Sequence, residues 1–309
     1  MKDSIFDKIY IKFNHVFVRR IKKTRYKSYK KNLLQINQNQ NFTYGLNTTE
    51  IRNQKIIVSL TSFEPRFETI IPCLKSLLNQ SVKPDRIFVY LECSEDKITA
   101  EMKNLEQFGI TYVCNVEDLK PHKKYFFVMQ TFPEDLIITV DDDVIYPGNL
   151  IENLLQTHKK FPDCVCARRV HKIKRRFDGT LHNYVNWFFN YEKKDKPSFD
   201  LISTGIGGVL YPPHCLCKKA FDKDLIKKLC LNADDIWLKF MENLNGTKVV
   251  WSKCTCPEPV EIKDSQRITL NKMNVKKNYN DVYISAMEQE FCITVDNKKL
   301  SESHTHSDS

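Results

Sequence analysis

Three consecutive acids, Asp141, Asp142 and Asp143, follow directly on the apolar run Leu136-Ile137-Ile138-Thr139-Val140. Carboxylates this close repel one another, and like charges in a cramped site raise pKa values and cost stability. A hard divalent cation that takes oxygen ligands, Mg²⁺ or Mn²⁺, relieves that repulsion. Acids at the carboxyl end of a strand also stand where open α/β sheets hold their ligands. The bland alternative is a solvated acidic turn with no ion. The apolar strand ahead of the acids and Tyr146-Pro147-Gly148 behind them favour a site.

A second acidic pair, Asp234-Asp235, opens a helical pattern beside Trp237. Acids at a helix N-terminus are favourable through capping and the dipole. Capping accounts for one of the two and not readily for both beside a buried-looking Trp. Between the acidic segments lies Ser203-Thr204-Gly205-Ile206-Gly207-Gly208, which holds three of the chain's eight glycines. Glycine there lets backbone approach another group closely; the alternative is an irregular loop leading into a strand.

The elements that must position these residues alternate. Apolar runs predict strands over 55–60, 86–91, 110–114, 136–140 and 164–170. Helical periodicity falls over 67–78, 97–108, 123–131 and 147–160, the last with Pro147 at its start. This rhythm implies an α/β fold with a mainly parallel sheet covered on both faces. No Gly-x-Gly-x-x-Gly follows the first strand and no Walker loop is present, which argues against dinucleotide and P-loop sites. After residue 170 the rhythm breaks into a basic, aromatic stretch that includes Arg175, Arg176, Trp187, Phe188 and Phe189.

The chain of 309 residues carries a net charge of +10, with 41% hydrophobic and 28% charged residues. Residues 1–31 hold eleven Lys and Arg against Asp3 and Asp7, a net +9 of that +10. A body that binds nucleic acid is basic over its folded surface, and the remainder here is close to neutral. Ile5, Phe6, Ile9, Tyr10, Phe13, Val16 and Phe17 recur at helical steps within this arm, giving one apolar face beside the basic run. Such a segment suits an anionic membrane surface, or else a helix docked on the body. No secretory signal is expected, because Asp7, Lys8 and Lys12 interrupt any apolar core. Eleven scattered cysteines, three pairs of them at Cys-x-Cys spacing (Cys164/Cys166, Cys215/Cys217, Cys254/Cys256), read as reduced thiols rather than a zinc site. The expected location is cytoplasmic, peripheral on the inner face of the cytoplasmic membrane.

The ordered set of Ser59-Leu60-Thr61-Ser62, Asp141-Asp142-Asp143, Thr204-Gly205-Ile206-Gly207-Gly208 and Ala233-Asp234-Asp235 resembles bacterial GT-A-fold glycosyltransferases of the family 2-like kind. Those enzymes act in surface polysaccharide or lipopolysaccharide synthesis. The resemblance covers about residues 55–285. It implies a GT-A, Rossmann-like sheet over 55–290, with a nucleotide-sugar half (55–170) and an acceptor half (171–290). The basic arm and linker (1–54) and a C-terminal tail (291–309) flank it. It also implies roles. Asp141 and Asp143 match the Asp-x-Asp that holds Mn²⁺ or Mg²⁺ on the diphosphate of a nucleotide-sugar, with Asp143 as a direct ligand. Thr61, Glu92, Lys123, Lys124 and Asp142 would contact the nucleotide-sugar. Gly207 and Gly208 match the loop that approaches sugar or acceptor, and Asp234 or Asp235 matches the base of inverting members. The partners implied are a nucleotide-sugar donor, a glycan or lipid-linked acceptor, and an anionic membrane surface for residues 1–31. The sequence departs from the commonest pattern in its three adjacent acids and in Pro121-His122-Lys123-Lys124, which bears on the nucleotide contacts more than on the metal.

Two rivals remain open. Asp141-x-Asp143 also suits a Mg²⁺-dependent phosphohydrolase or phosphotransferase, although such enzymes place the motif after the first strand rather than the fourth. A non-enzymatic reading has the arm bind nucleic acid, with Phe13, Phe17, Tyr26 and Tyr29 stacking on bases.

Overall fold

The computed structural model describes residues 44–193, 195–253, 259–262 and 278–299. The basic arm over 1–31, Cys254, Cys256 and the last nine residues lie outside the described residues. The first half runs β1 (Ile56–Thr61), α1 (Ile71–Leu78), β2 (Arg86–Tyr90), α2 (Ala100–Asn104), β3 (Ile110–Val113), α3 (Lys123–Thr131) and β4 (Leu136–Thr139). It continues with β5 (Val144–Ile145), α4 (Leu150–His158), β6 (Val165–Ala167) and β7 (Val170–Lys172). The second half adds β8 (Leu201–Ser203), β9 (Val209–Tyr211), α5 (Lys223–Leu229), α6 (Asp234–Leu244), β10 (Val249–Trp251), β11 (Val260–Glu261) and α7 (Tyr279–Phe291).

Seven strands form one sheet in the order β10-β6-β9-β4-β1-β2-β3. The β1–β2, β2–β3, β1–β4 and β6–β10 pairs are parallel, and β9 runs antiparallel to both β4 and β6. The expected mixed, mainly parallel sheet flanked by helices is therefore the one found. Two-stranded antiparallel pairs, β5–β11 and β7–β8, lie outside it.

Packing on both faces explains why β1 reads as an unbroken apolar run. Val58 and Leu60 join Leu74 and Leu77 of α1 and Leu150 and Leu154 of α4 in one core, while Ile57 packs with Val128 of α3 and Ile137 on the other face. A fully buried Leu or Ile contributes about 1.5–3 kcal/mol, so register is strongly held. Ser59, the polar exception, is fully buried and donates from Oγ to the carbonyl of Lys124 at 2.6 Å, tying β1 to α3. A second core beneath the later half gathers Tyr125, Phe126, Trp237, Phe240 and Met287.

Several boundaries differ from the sequence expectation for local reasons. The first helix begins at Ile71 rather than at 67, with Pro72 in its first turn, because proline lacks the N–H that a helix interior needs. The stretch over 97–108 splits into a 3₁₀ turn, the short α2 capped by Thr99, and a second 3₁₀ turn. The strand expected over 164–170 breaks into β6 and β7, which belong to different sheets. Residues 44–54, grouped with the linker, dock on the body through Gly45 N–H to Phe108 O, Asn47 N–H to Pro84 O and the Arg52–Asp85 ion pair. Residues 292–299, grouped with the tail, also pack on it: Val295 is fully buried, Asn243 Nδ2 donates to its carbonyl, and Arg175 pairs with Asp296. Cys215 and Cys217 sit in a loop rather than on a strand, and every described cysteine is free.

Candidate active site

The chain runs from β1 outward through β2 to β3, then returns to place β4 on the other side of β1. The carboxyl ends of β1 and β4 thus flank a topological switch point, the crevice where open α/β sheets hold ligands. Thr61-Ser62 leaves β1 there and Asp141-Asp142-Asp143 follows β4. Asp142 is buried, accepts from Ser62 Oγ at 2.6 Å and ion-pairs with Arg66. Asp142, expected among the nucleotide-sugar contacts, is thus taken up inside the protein, and Arg66 reaches on to Asp143 at 3.4 Å. The Asp141 N–H donates to the hydroxyl of buried Tyr146 at 2.8 Å, which fixes the turn. Burial, with the charges of Asp141 and Asp142, pushes the Asp143 carboxyl up to about 7 although Arg66 opposes the rise.

Lys124 joins this acidic turn to the second acidic pair. Its buried Nζ lies 2.8 Å from Asp141 Oδ1 and 2.8 Å from Asp234 Oδ2, the latter an ion pair without hydrogen-bond geometry. Burial works against the ammonium, but Asp141, Asp234 and Asp235 more than reverse that effect and raise its pKa. Asp235 Oδ1 accepts the Gly205 N–H at 3.1 Å. The helix N-cap is Ala233, which has no capping side chain, so neither acid caps its own helix: both turn to partners elsewhere in the fold. Their electrostatics diverge. Despite burial, Lys124 and His122 hold Asp234 below the usual carboxylate value, whereas burial and the charge of Asp234 push Asp235 well above it.

Gly205 is closely approached by two charged side-chain ends. A Cβ there would lie 2.5 Å from Lys124 Nζ and 2.7 Å from Asp141 Oδ1. The same turn continues through Gly207, whose Cβ would meet Arg169 at 2.6 Å, and Gly208, which enters β9 with φ +84. Glu92 and Lys123, both expected at the nucleotide, meet each other, and Lys123 also donates to Asp118 at 2.9 Å. Hydrogen bonds from Lys120 and Lys123 overcome burial and hold Asp118 down at about 2. Thr61 Oγ1 donates to the Tyr90 carbonyl at 2.8 Å. The described part of the site therefore brings Asp141, Asp143, Lys124, Asp234, Asp235 and the glycine turn together, with the Thr61–Glu92–Lys123 group along the β1–β2 edge.

Sequence reasoning missed Arg66 and Arg169, and it named Gly205 only as part of the glycine turn. A basic residue five positions beyond the end of β1, and the glycine nearest Thr204, were the available signals. The donor set suits a hard cation: Asp141 and Asp143 offer oxygen ligands, and the elevated Asp143 carboxyl marks negative charge that Arg66 leaves partly unbalanced. Among the described residues no three His, Cys, Asp or Glu side chains gather as a complete metal cage.

Residues 57–211 match the family model described as Glycosyl transferase family 2. No curated protein matches the chain. Among solved structures, the chain is similar to the mannosyltransferase PcManGT from Pyrobaculum calidifontis in complex with GDP-Man and Mn²⁺, at 10% identity and TM-score 0.48, over 89% of this chain and 74% of that one. It is also similar to S. aureus TarS 1–349 in complex with UDP, at 13% identity and TM-score 0.44, over 65% of this chain and 59% of that one.

Proposed function

From the premise that this chain belongs to glycosyl transferase family 2 and is a glycosyltransferase, we propose a metal-dependent, inverting transfer of a sugar from a nucleotide-sugar donor to a glycan or lipid-linked acceptor. One observation carries the reading: Lys124 bridges Asp141 and Asp234 while the Gly205 N–H engages Asp235, which brings the two acidic segments together at the switch point of the sheet.

In this reading Asp141 and Asp143 would hold Mn²⁺ or Mg²⁺. When bound, such a cation neutralises charge that builds on a departing nucleoside diphosphate. Lys124 keeps a positive charge between the acidic pairs and sets where Asp141 and Asp234 stand. Asp235 is the base. Its carboxyl is raised by burial and by Asp234, so its ionised form takes a proton more readily than that of Asp234, whose charge Lys124 neutralises. Base catalysis of this kind adds about 10²–10⁴-fold. Asp234 is a positioning residue that orients Lys124. Inversion follows if Asp235 draws the acceptor hydroxyl onto the face of the sugar opposite the diphosphate.

The basic amphipathic pattern of residues 1–31 supports recruitment to an anionic membrane surface, and with it a role on the cytoplasmic face in cell-surface polysaccharide or lipopolysaccharide synthesis. No helix among the described residues is long and apolar enough to cross a membrane. The deciding experiment is a screen of nucleotide-sugars for thermal stabilisation with Mn²⁺ and with chelator, since a bound donor raises stability by mass action. A Mn²⁺-dependent shift with one donor is expected, and D235N should then lower kcat about 10²–10⁴-fold with little change in donor KM. No stabilisation by any donor, or full activity in D235N, overturns the reading.

A further inference from the structure

The glycine turn touches a second surface that the donor chemistry leaves unused. The Thr204 N–H donates to Arg169 O at 3.1 Å, one residue before Gly205 meets Asp235, so Arg169 and Asp235 grip the same turn. From Arg169 a chain of contacts leads outward: Arg169 Nε donates to Asn190 Oδ1 at 2.7 Å, and the Asn190 N–H donates to His171 Nδ1 at 3.2 Å. The His171 ring packs edge-on against Phe189 with centroids 4.5 Å apart, and Tyr184 packs against the same Phe189 at 5.6 Å. His171 and Tyr184 are buried, yet Phe189 is 42% exposed. Its ring is therefore held in place by neighbours while part of it meets solvent. Burial and the Arg169 charge push His171 down to about 3. Among the described residues no carboxylate ion-pairs with Arg169.

We propose that Phe189 and Arg169 form the acceptor subsite and that its occupant is an anionic glycan, with a sugar ring on Phe189 and a phosphate or carboxylate on Arg169. The inference rests on the family 2 reading of Asp235 as the base. It adds the class of acceptor and the residues that select it. An aromatic face accepts the C–H face of a pyranose, and an arginine fork matches the geometry of a carboxylate or phosphate. Gly207 contributes by absence: its Cβ position is already occupied by Arg169 Cβ and backbone, so the turn packs directly on the Arg169 backbone. The subsite is continuous with Asp235 through Thr204 and Gly205. This continuity, with Arg169 joined through Asn190 to the segment that carries the ring, favours a charged acceptor over an apolar protein partner.

The test is binding of the full-length chain to a printed panel of matched neutral, uronate-bearing and phosphomonoester-bearing oligosaccharides, compared with R169Q and F189L. Wild type is expected to retain one anionic class about ten- to a hundredfold better than its neutral match, as charge-assisted hydrogen bonds allow, and the class retained tells carboxylate from phosphate. R169Q should lose that preference, and F189L should weaken binding of the retained class; a cooperative melt shows that each variant is folded. Equal binding of neutral and anionic members, or no binding, overturns the inference. So does an anionic preference that survives R169Q, which would belong to the basic arm. Binding is read without donor or metal, so it decides this inference separately from the donor screen.

Discussion

Replacing Lys124 by Met removes the one ammonium that touches both acidic pairs. Asp234 is 7% exposed, and stripping the partner from a buried charge costs about 3–5 kcal/mol. Asp141 keeps 29% of its side-chain surface and can be solvated, so its share is discounted and the loss falls mainly on Asp234, near 3 kcal/mol at neutral pH, the lower end of that range (~3). For a domain of this size that is about 6–12 °C in Tm, within the margin of about 5–15 kcal/mol that domains possess. The effect depends on pH. In the wild type, Lys124 outweighs burial and holds Asp234 low, so its contribution is present above about pH 4 and is lost as pH falls through its folded pKa. Without Lys124 burial prevails, the carboxyl rises, and ionising it costs more folding energy as pH climbs. Thermal and urea unfolding between pH 4.5 and 8 should therefore show a wild type–K124M gap that is widest at high pH and narrows in acid. K124M/D234N should regain most of the loss, because it removes the stranded charge. A gap below about 1 kcal/mol at pH 7, the value of an exposed pair, would refute the reasoning. So would a gap that does not change with pH, or a double variant no more stable than K124M.

Asp143→Asn should abolish Mn²⁺-dependent binding of the nucleotide-sugar in calorimetry. In chelator at pH 8 its Tm should be equal to or above the wild type's, since the folded state resists ionising a carboxyl pushed up to about 7. Gly205→Ala places a methyl against the flexible ends of Lys124 and Asp141. Tm should shift by only a few degrees while kcat falls sharply, and a wild-type kcat would show that the Lys124–Asp141 contact is dispensable. His122 is pushed down to about 4 by burial, with Nε2 donating to the Cys230 carbonyl at 2.9 Å. The unfolded chain takes up that proton near pH 6.5 and the folded one does not, so stability should fall by up to about 3 kcal/mol as pH drops from 6.5 to 4. Urea melts at pH 7, 5.5 and 4.5 should show a shallower acid slope for H122Q than for wild type; an identical slope would exclude this histidine as a cause.

The parts of the fold that can be read from the sequence are those whose burial leaves a local pattern. Strands β1 and β4 are buried on both faces because helices cover both faces, and the runs of β1 to β4 appear at the expected positions. The pairs β5–β11 and β7–β8 are two or three residues long, too short for any periodicity. The antiparallel placement of β9 depends on β4, about seventy residues away, and on β6, about forty-three residues away, and no local signal encodes it. At the site, adjacent carboxylates stand out because their repulsion demands a reason. Arg66 does not, since it sits in a 3₁₀ turn and its partner Asp142 lies 76 residues on. The Gly207-Gly208 pair draws attention as flexible backbone, whereas Gly205 is closely approached by two side-chain ends from distant segments. Lys124 and Asp234-Asp235 were legible as residue types, but the ion pair between Lys124 and Asp234 was not.

The insertion of β9 between β4 and β6 bears on how the chain matures on the ribosome. Until residue 211 has been made, β4 presents an unpaired edge, and β6 and β10 have no route into the sheet except through β9. At about 5–20 residues per second that edge stays open for roughly 4–14 s after β4 is synthesised. An exposed strand edge invites pairing with other chains. During this interval the β4 edge is open to pairing with other chains, and a stall between residues 140 and 209 would prolong that exposure.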